Sequence, residues 1–161
     1  MTALAVARFS SVFGAGLVSG VLLGDRMGAS FARPELPASS FVTFQQIVHR
    51  HFVVMMPILL GITILSCAAW LILVRSRTGS AEFAFLALGA LAFVSIVILT
   101  RSINVPINNQ LMTWNPSSPP PHVMNTWAGW ERSHTARTVM AVPGFVLLLL
   151  AFAAAKNRRE A

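Results

Sequence analysis

Trp127, Trp130, His134 and Arg137 are spaced three, four and three residues apart. On a helix that spacing gathers them within roughly a quarter of the circumference. An imidazole can take a proton near neutral pH, and a guanidinium beside it can hold the anion that forms. Upstream, Asn104 and Asn108 are four apart and share a helical face, with Pro106 between them. Pro106 has no amide hydrogen to donate, so it loosens the helix and frees a carbonyl. Trp114 continues this region. Together these residues suit a flat, largely apolar ligand bearing hydroxyl or carbonyl groups. The indoles would hold the rings and the carboxamides would orient oxygens. His134 would remove an acidic proton, and Arg137 would hold the phenolate or enolate. An electron-rich carbanion of that kind can react with dioxygen directly, so the chemistry needs no cofactor.

Other chemistries lack their residues. Asp25, Glu35 and Glu131 are the only acids on this side of the chain, and no inward carboxylate pair is expected. There is no nucleotide-binding glycine loop and no clustered cysteine set. His49, His51, His122 and His134 could in principle supply imidazoles to copper, zinc or iron. None belongs to an HExxH-like motif, and His122 sits among prolines, so no metal site is assigned. The competing reading of the stripe is an aromatic belt at a membrane interface. That explains the two Trp residues. It does not explain His134 and Arg137, which lie nearest the following apolar run, because an arginine there is costly unless it faces a partner, a cavity or a ligand.

The elements that position this stripe are membrane helices. Of 161 residues, 55% are hydrophobic and 11% charged, against about 25% charged in an ordinary soluble domain. The net charge is +7, but the cations are scattered between apolar runs, without the basic stripe or binding module that nucleic acid requires. Attraction to anionic lipid accounts for them. The single cysteine, Cys67, lies in an apolar run and reads as a packing residue.

The expected fold is all-α: a single membrane domain over residues 1–161, an integral four-helix bundle with spans at about 4–24, 52–74, 81–100 and 139–155. Short amphipathic helical extensions are expected on the non-cytoplasmic side. The first span could be a signal peptide, but its weak cleavage site favours a retained helix. Gly16, Gly20 and Gly24 repeat every four residues along it, a pattern that admits a close helix neighbour or a second copy of the chain. Pro57 lies in the second span. Pro143-Gly144 should kink the fourth, which is short and borrows length from the helix before it. Ser39 or Ser40 is a candidate cap for the helix entering span two, Ser80 the start of span three, and Asn125 or Thr126 a cap for the stripe helix. Residues 115–121, Asn-Pro-Ser-Ser-Pro-Pro-Pro, form an extended loop.

Orientation follows basic residues in short flanks. Arg75, Arg77, Lys156, Arg158 and Arg159 sit beside span ends, which places both termini in the cytoplasm of a plasma or inner membrane. Counting Arg8 with them, the tally is even against Arg26, Arg33, Arg50, Arg101, Arg132 and Arg137. Some of the latter are then expected to be held by a site.

The run Asn104-x-Pro106-x-Asn108, then Trp114, then Trp127-x-x-Trp130 and His134-x-x-Arg137 resembles the anthrone oxygenase-like integral membrane family, also described as a domain of unknown function. The likeness extends to the four spans and to Gln46 ahead of the Pro57-containing span. It implies oxidation of an anthrone, a polycyclic phenol or a related quinone precursor, with dioxygen as co-substrate and no established cofactor. It makes His134 and Arg137 catalytic candidates, and Gln46, Asn104, Asn108, Trp114, Trp127 and Trp130 substrate-binding ones. The residues by themselves leave an alternative open: a non-enzymatic bundle that binds lipid, a quinone or a partner membrane protein. A transporter is weaker still, for want of inward acids.

Overall fold

The computed structural model describes residues 2–160, with side chains as far as Ala155. The calls on Lys156, Arg158 and Arg159 as orienting charges therefore fall outside the described side chains. Four helices are long and apolar enough to cross a membrane, carried by Ala3–Glu35, Ala38–Leu73, Ala81–Met112 and Val123–Ala155. The chain is thus an all-α integral membrane protein. Its long helices are α1 (Ala3–Met27), α3 (Ala38–Leu73), α4 (Ala81–Leu99) and α6 (Val123–Glu160), with α2 (Ala29–Ala32) and α5 (Val105–Met112) as short additions.

Chain direction alternates from one long helix to the next, so the bundle has two distinct ends. One end gathers the start of α1, the end of α3 and the start of α4. The other gathers the end of α1, the start of α3, the end of α4 with α5, and the start of α6. Packing is uneven. Helix α6 lies most extensively against α4 and also against α1, and α1 against α3, whereas α3 meets α4 and α5 only thinly.

Small residues set the closest crossings: α1 meets α3 at Gly14, where a Cβ would come within 2.5 Å of the Thr63 hydroxyl, and α4 meets α6 at a second such point. A Cβ on Gly89 would come within 2.8 Å of Leu148 and 3.1 Å of the Gly144 carbonyl, and one on Gly144 within 2.9 Å of Ala92. Such proximity needs glycine on both α4 and α6. Of the repeat on α1, Gly16 faces Phe145 at 3.3 Å, while Gly20 and Gly24 have nothing within 4 Å. Inside this chain, only Gly16 of that repeat admits a neighbouring helix.

Several boundaries differ from the sequence reading, each for a local reason. Helix α3 is capped by Pro37 rather than Ser39 or Ser40, and it runs 36 residues through Pro57. Pro37 has no amide to leave unsatisfied, and Ser39 is already helical, its carbonyl accepting the Thr43 hydroxyl. Helix α6 begins at Val123, before Asn125 and Thr126, and continues through Pro143 without a break. Span four thus borrows length as expected, and Pro143-Gly144, the pair expected to kink it, lies inside the continuous helix. Ser80 does cap α4, accepting the Phe83 amide.

Pro106 acts upstream of itself. Residues Thr100–Asn104 form a π turn between α4 and α5, with the Val105 amide reaching back five residues to the Thr100 carbonyl. A proline ring crowds the carbonyl four residues before it, and one widened turn relieves that crowding. The π turn brings Asn104 to the bundle interior, where it is 1% exposed.

Candidate functional site

At the end where α1, α3, α5 and α6 meet lies a cavity of about 270 Å³. It occupies the thin seam between α3 and the α4–α5 strand of chain. Its apolar wall includes Val48, Phe52, Val53 and Met56 of α3. Its polar wall carries Asp25, Arg33, Asn104, His134 and Arg137, with Trp127 and Trp130 beside them.

The opening stripe forms a stacked column. Trp127 and Trp130 are parallel, with ring centroids 4.3 Å apart, and Trp130 stacks on His134 at 4.9 Å. Phe41 closes the column edge-on to Trp127 at 5.2 Å. Two guanidinium groups attend Trp130, Arg33 at 5.3 Å and Arg137 at 5.4 Å from its centroid. Cations over an indole face are favoured, and more so away from water.

A polar chain runs along the column. Ser30 donates to Glu131 Oε2 at 2.9 Å, and Trp127 Nε1 to Glu131 Oε1 at 3.0 Å. Arg33 donates to Glu131 at 3.1 Å and grips Asp25 with both terminal nitrogens. Asp25 Oδ2 lies 3.1 Å from His134 Nε2, an approach whose angle falls short of a full hydrogen bond. His134 Nδ1 faces Arg137 Nη2 at 3.3 Å, and Arg137 Nη1 donates to the Thr100 hydroxyl at 3.2 Å. Arg33 thus has two carboxylates. Arg137, only 8% exposed, has a hydroxyl, a ring nitrogen and an indole face, and no carboxylate in direct contact.

This corrects the expectation that no carboxylate pair turns inward, since Asp25 and Glu131 both do, bridged by Arg33. Neither could be read from spacing. Asp25 and Arg33 lie on either side of Gly28, where α1 ends and the short α2 begins ahead of a 3-10 turn at Arg33–Glu35. The signal available was an acid and a base flanking a glycine just past an apolar run.

The remaining predicted residues divide. Asn104 and Asn108 line the cavity. Asn104 also accepts from Ser133 at 2.7 Å and approaches the Trp130 carbonyl at 3.4 Å, tying α6 to the π turn. Trp114 and Gln46 are not among the lining residues. Trp114 packs on a small core of Phe41, Val42, Leu111, Val123 and Trp127. Gln46 donates to the carbonyls of Leu111 and Trp114 at 3.0 and 2.9 Å, closing the last turn of α5. Its neighbour Gln45 lines the cavity instead, 3% exposed and with Oε1 unpartnered. His49 and Thr100 also line it.

Five buried polar atoms on cavity-lining side chains lack a hydrogen-bond partner: Arg33 Nε, Gln45 Oε1, Trp130 Nε1, His134 Nε2 and Arg137 Nε. Buried polar groups are rarely left so; they comprise one acceptor, three donors and the ring nitrogen that lies beside Asp25. Among the described residues, no three of His, Cys, Asp and Glu converge as a metal-ligand set.

These features define a four-helix integral membrane protein with a polar, aromatic-walled cavity at one end. Residues 44–147 match the family described as anthrone oxygenase, and the chain belongs to that family. No curated protein and no solved structure matches it.

Proposed function

We propose that the protein is a membrane-embedded oxygenase that oxidises an anthrone, a polycyclic phenol or a related quinone precursor with dioxygen, without a cofactor. One observation carries this reading: Arg137 is buried at the cavity, without a contacting carboxylate, against the Nδ1 of His134. A buried cation of that kind favours an anion beside it. The flat substrate docks against Trp130, with Trp127 behind and Asn104 and Asn108 near its oxygens. His134 takes a proton from the ring methylene, and Arg137 holds the enolate oxygen. Dioxygen adds to the carbanion carbon. The peroxide takes up a proton and loses water to leave a carbonyl, so that CH2 and O2 become C=O and H2O.

The test is oxygen uptake with product analysis on detergent-purified protein, across a panel of anthrones and hydroquinones. His134→Ala is expected to keep the fold and lose uptake; normal turnover in that variant rejects the base. The same preparation, with metal content measured and chelator added, is expected to turn over unchanged.

A second reading, a non-enzymatic scaffold or a lipid- or quinone-binding protein, draws on the direct stacking of Trp127, Trp130 and His134. It predicts saturable quinone binding with no oxygen consumed. On orientation, Arg8, Arg33 and Arg137 are buried and drop out of the charge tally. Arg75, Arg77, Lys156, Arg158 and Arg159 then stand against Arg26, Arg50, Arg101 and Arg132. That five-to-four balance supports cytoplasmic termini and a cavity on the opposite side.

A further inference from the structure

His134 is 2% exposed, and its two ring nitrogens face groups of opposite and fixed character. Nδ1 faces the Arg137 guanidinium, which can only donate hydrogen bonds. Nε2 faces the Asp25 carboxylate, which, when ionised, can only accept them. Only one neutral tautomer satisfies both neighbours: the proton on Nε2 and the lone pair on Nδ1. We infer that Asp25, gripped by Arg33, is a positioning residue that fixes this tautomer and so makes Nδ1 the basic nitrogen of the site.

The arrangement has a mechanical basis. Asp25 is held by two nitrogens of Arg33, and Arg33 is held in turn by Glu131 and Ser30. A planar guanidinium on a carboxylate fixes orientation as well as charge. The ring is pinned from below by Trp130 stacking, and the His134 carbonyl receives the Thr138 hydroxyl at 2.9 Å. The ring therefore has little freedom to turn its nitrogens over. Nδ1 and Arg137 Nη2 lie side by side, so the atom that would take a proton adjoins the atom that would hold the resulting anion. Once Nδ1 is protonated, the ring is a cation next to Arg137. Asp25 on the far nitrogen and the new substrate anion offset that repulsion, the logic by which a carboxylate supports a catalytic histidine.

Asp25 and Arg33 lie outside residues 44–147, the part that matches the family. The inference therefore makes the end of α1 and the turn after it a working part of the site. It rests on the oxygenase reading only for its kinetic consequence; the tautomer itself is independent of any activity.

The experiment uses full-length protein in detergent with 15N-labelled histidine. The chain has four histidines, and the His134 signals are those that vanish in His134→Gln. In the native protein, Nε2 is expected protonated and Nδ1 not. In Asp25→Asn the amide can donate as well as accept, so only Arg137 still favours the native tautomer and a fraction protonated on Nδ1 instead is expected to appear beside it. In parallel, kcat should fall by about 100-fold with KM moved less than about threefold, at the low end of what positioned proton transfer contributes. Asp25→Glu should restore the single tautomer and part of kcat. A His134 tautomer unchanged in Asp25→Asn overturns the inference even if turnover drops, because a merely structural carboxylate would give that pattern. If Asp25→Asn does not accumulate, Arg33→Lys decides on the same spectrum: it keeps a cation but loses the two-pronged grip, and a single unchanged tautomer there also overturns the inference. No oxygen uptake by the native protein with any anthrone or hydroquinone would remove the oxygenase reading and leave the tautomer result standing, so the two failures are distinguishable.

Discussion

Both ends of the bundle bury an arginine against a tryptophan, and they complete it differently. At the end formed by α1, α3 and α4, Arg8 pairs with Glu82 while lying 5.6 Å over the Trp70 ring. Glu82 is fully engaged. Its Oε1 also receives Trp70 Nε1 at 2.9 Å, and its Oε2 meets Arg77 at 3.4 Å. Arg8, Glu82 and Trp70 take no part in lining the cavity. At the other end Arg33 is completed in the same way, by Asp25 and Glu131, but Arg137 is not, and it lines a cavity. Closing charges on each other gives a structural lock. Leaving one cation open to a space gives a place where negative charge can form. The contrast teaches that burial of an arginine does not by itself mark function; the missing partner does.

Removing one side of the closed pair should produce the largest change. Glu82→Ala strands Arg8 in the interior, and a loss of about 3–5 kcal/mol in stability is expected, read from unfolding in detergent. The paired replacement Arg8→Met with Glu82→Leu should recover most of it. If the single variant proved as stable as the native protein, the lock would have no meaning. At the open end, Arg137→Leu should behave oppositely. Oxygen uptake with an active anthrone is expected to fall by about 100- to 1,000-fold while the unfolding midpoint stays close to the native value. An equal loss of stability at both ends would erase the distinction.

Smaller effects sharpen it. Gly89→Ala forces a methyl towards Leu148 and the Gly144 carbonyl, so about 1–3 kcal/mol of destabilisation is expected. Both ends share the α4–α6 crossing, so KM should hardly move. Least of all, Gln46→Leu removes two part-buried hydrogen bonds to the end of α5 and should cost about 0.5–1.5 kcal/mol in stability. Gln45→Leu, next to it, should instead raise KM with little change in unfolding. Steady-state kinetics on the two variants, run side by side, separate a strut from a cavity wall.

Much of this was legible beforehand where a single helix carried the information. The four apolar runs announce themselves because lipid demands about twenty apolar residues per crossing, and the Trp127–Arg137 stripe shows its face through spacing alone. Asn104 and Asn108 were legible for the same reason, with Pro106 as a marker of disturbance. What sequence could not supply was contact between helices. The Asp25–Arg33–Glu131 link depends on the break at Gly28 and on how α1 settles against α6. The Arg8–Glu82 pair joins residues 74 positions apart. Gln45 and Gln46 are chemically identical neighbours, and only the rotation of α3 decides which faces the cavity. Pro143 does not end α6, because a long helix held on two sides can continue past one missing amide hydrogen bond.

The π turn at Thr100–Asn104 is a local swelling of the helix. A widened turn accommodates one surplus residue in the helical count, and each residue advances a helix by about 100°. Deleting a single residue there would let α4 run into α5 as unbroken α-helix, with the later side chains of α5 close to their present phase. Asn108 would keep its place at the cavity wall, while the widened turn that carries Asn104 inward would close. The segment therefore sets the aim of its own few side chains more than that of the helix beyond it.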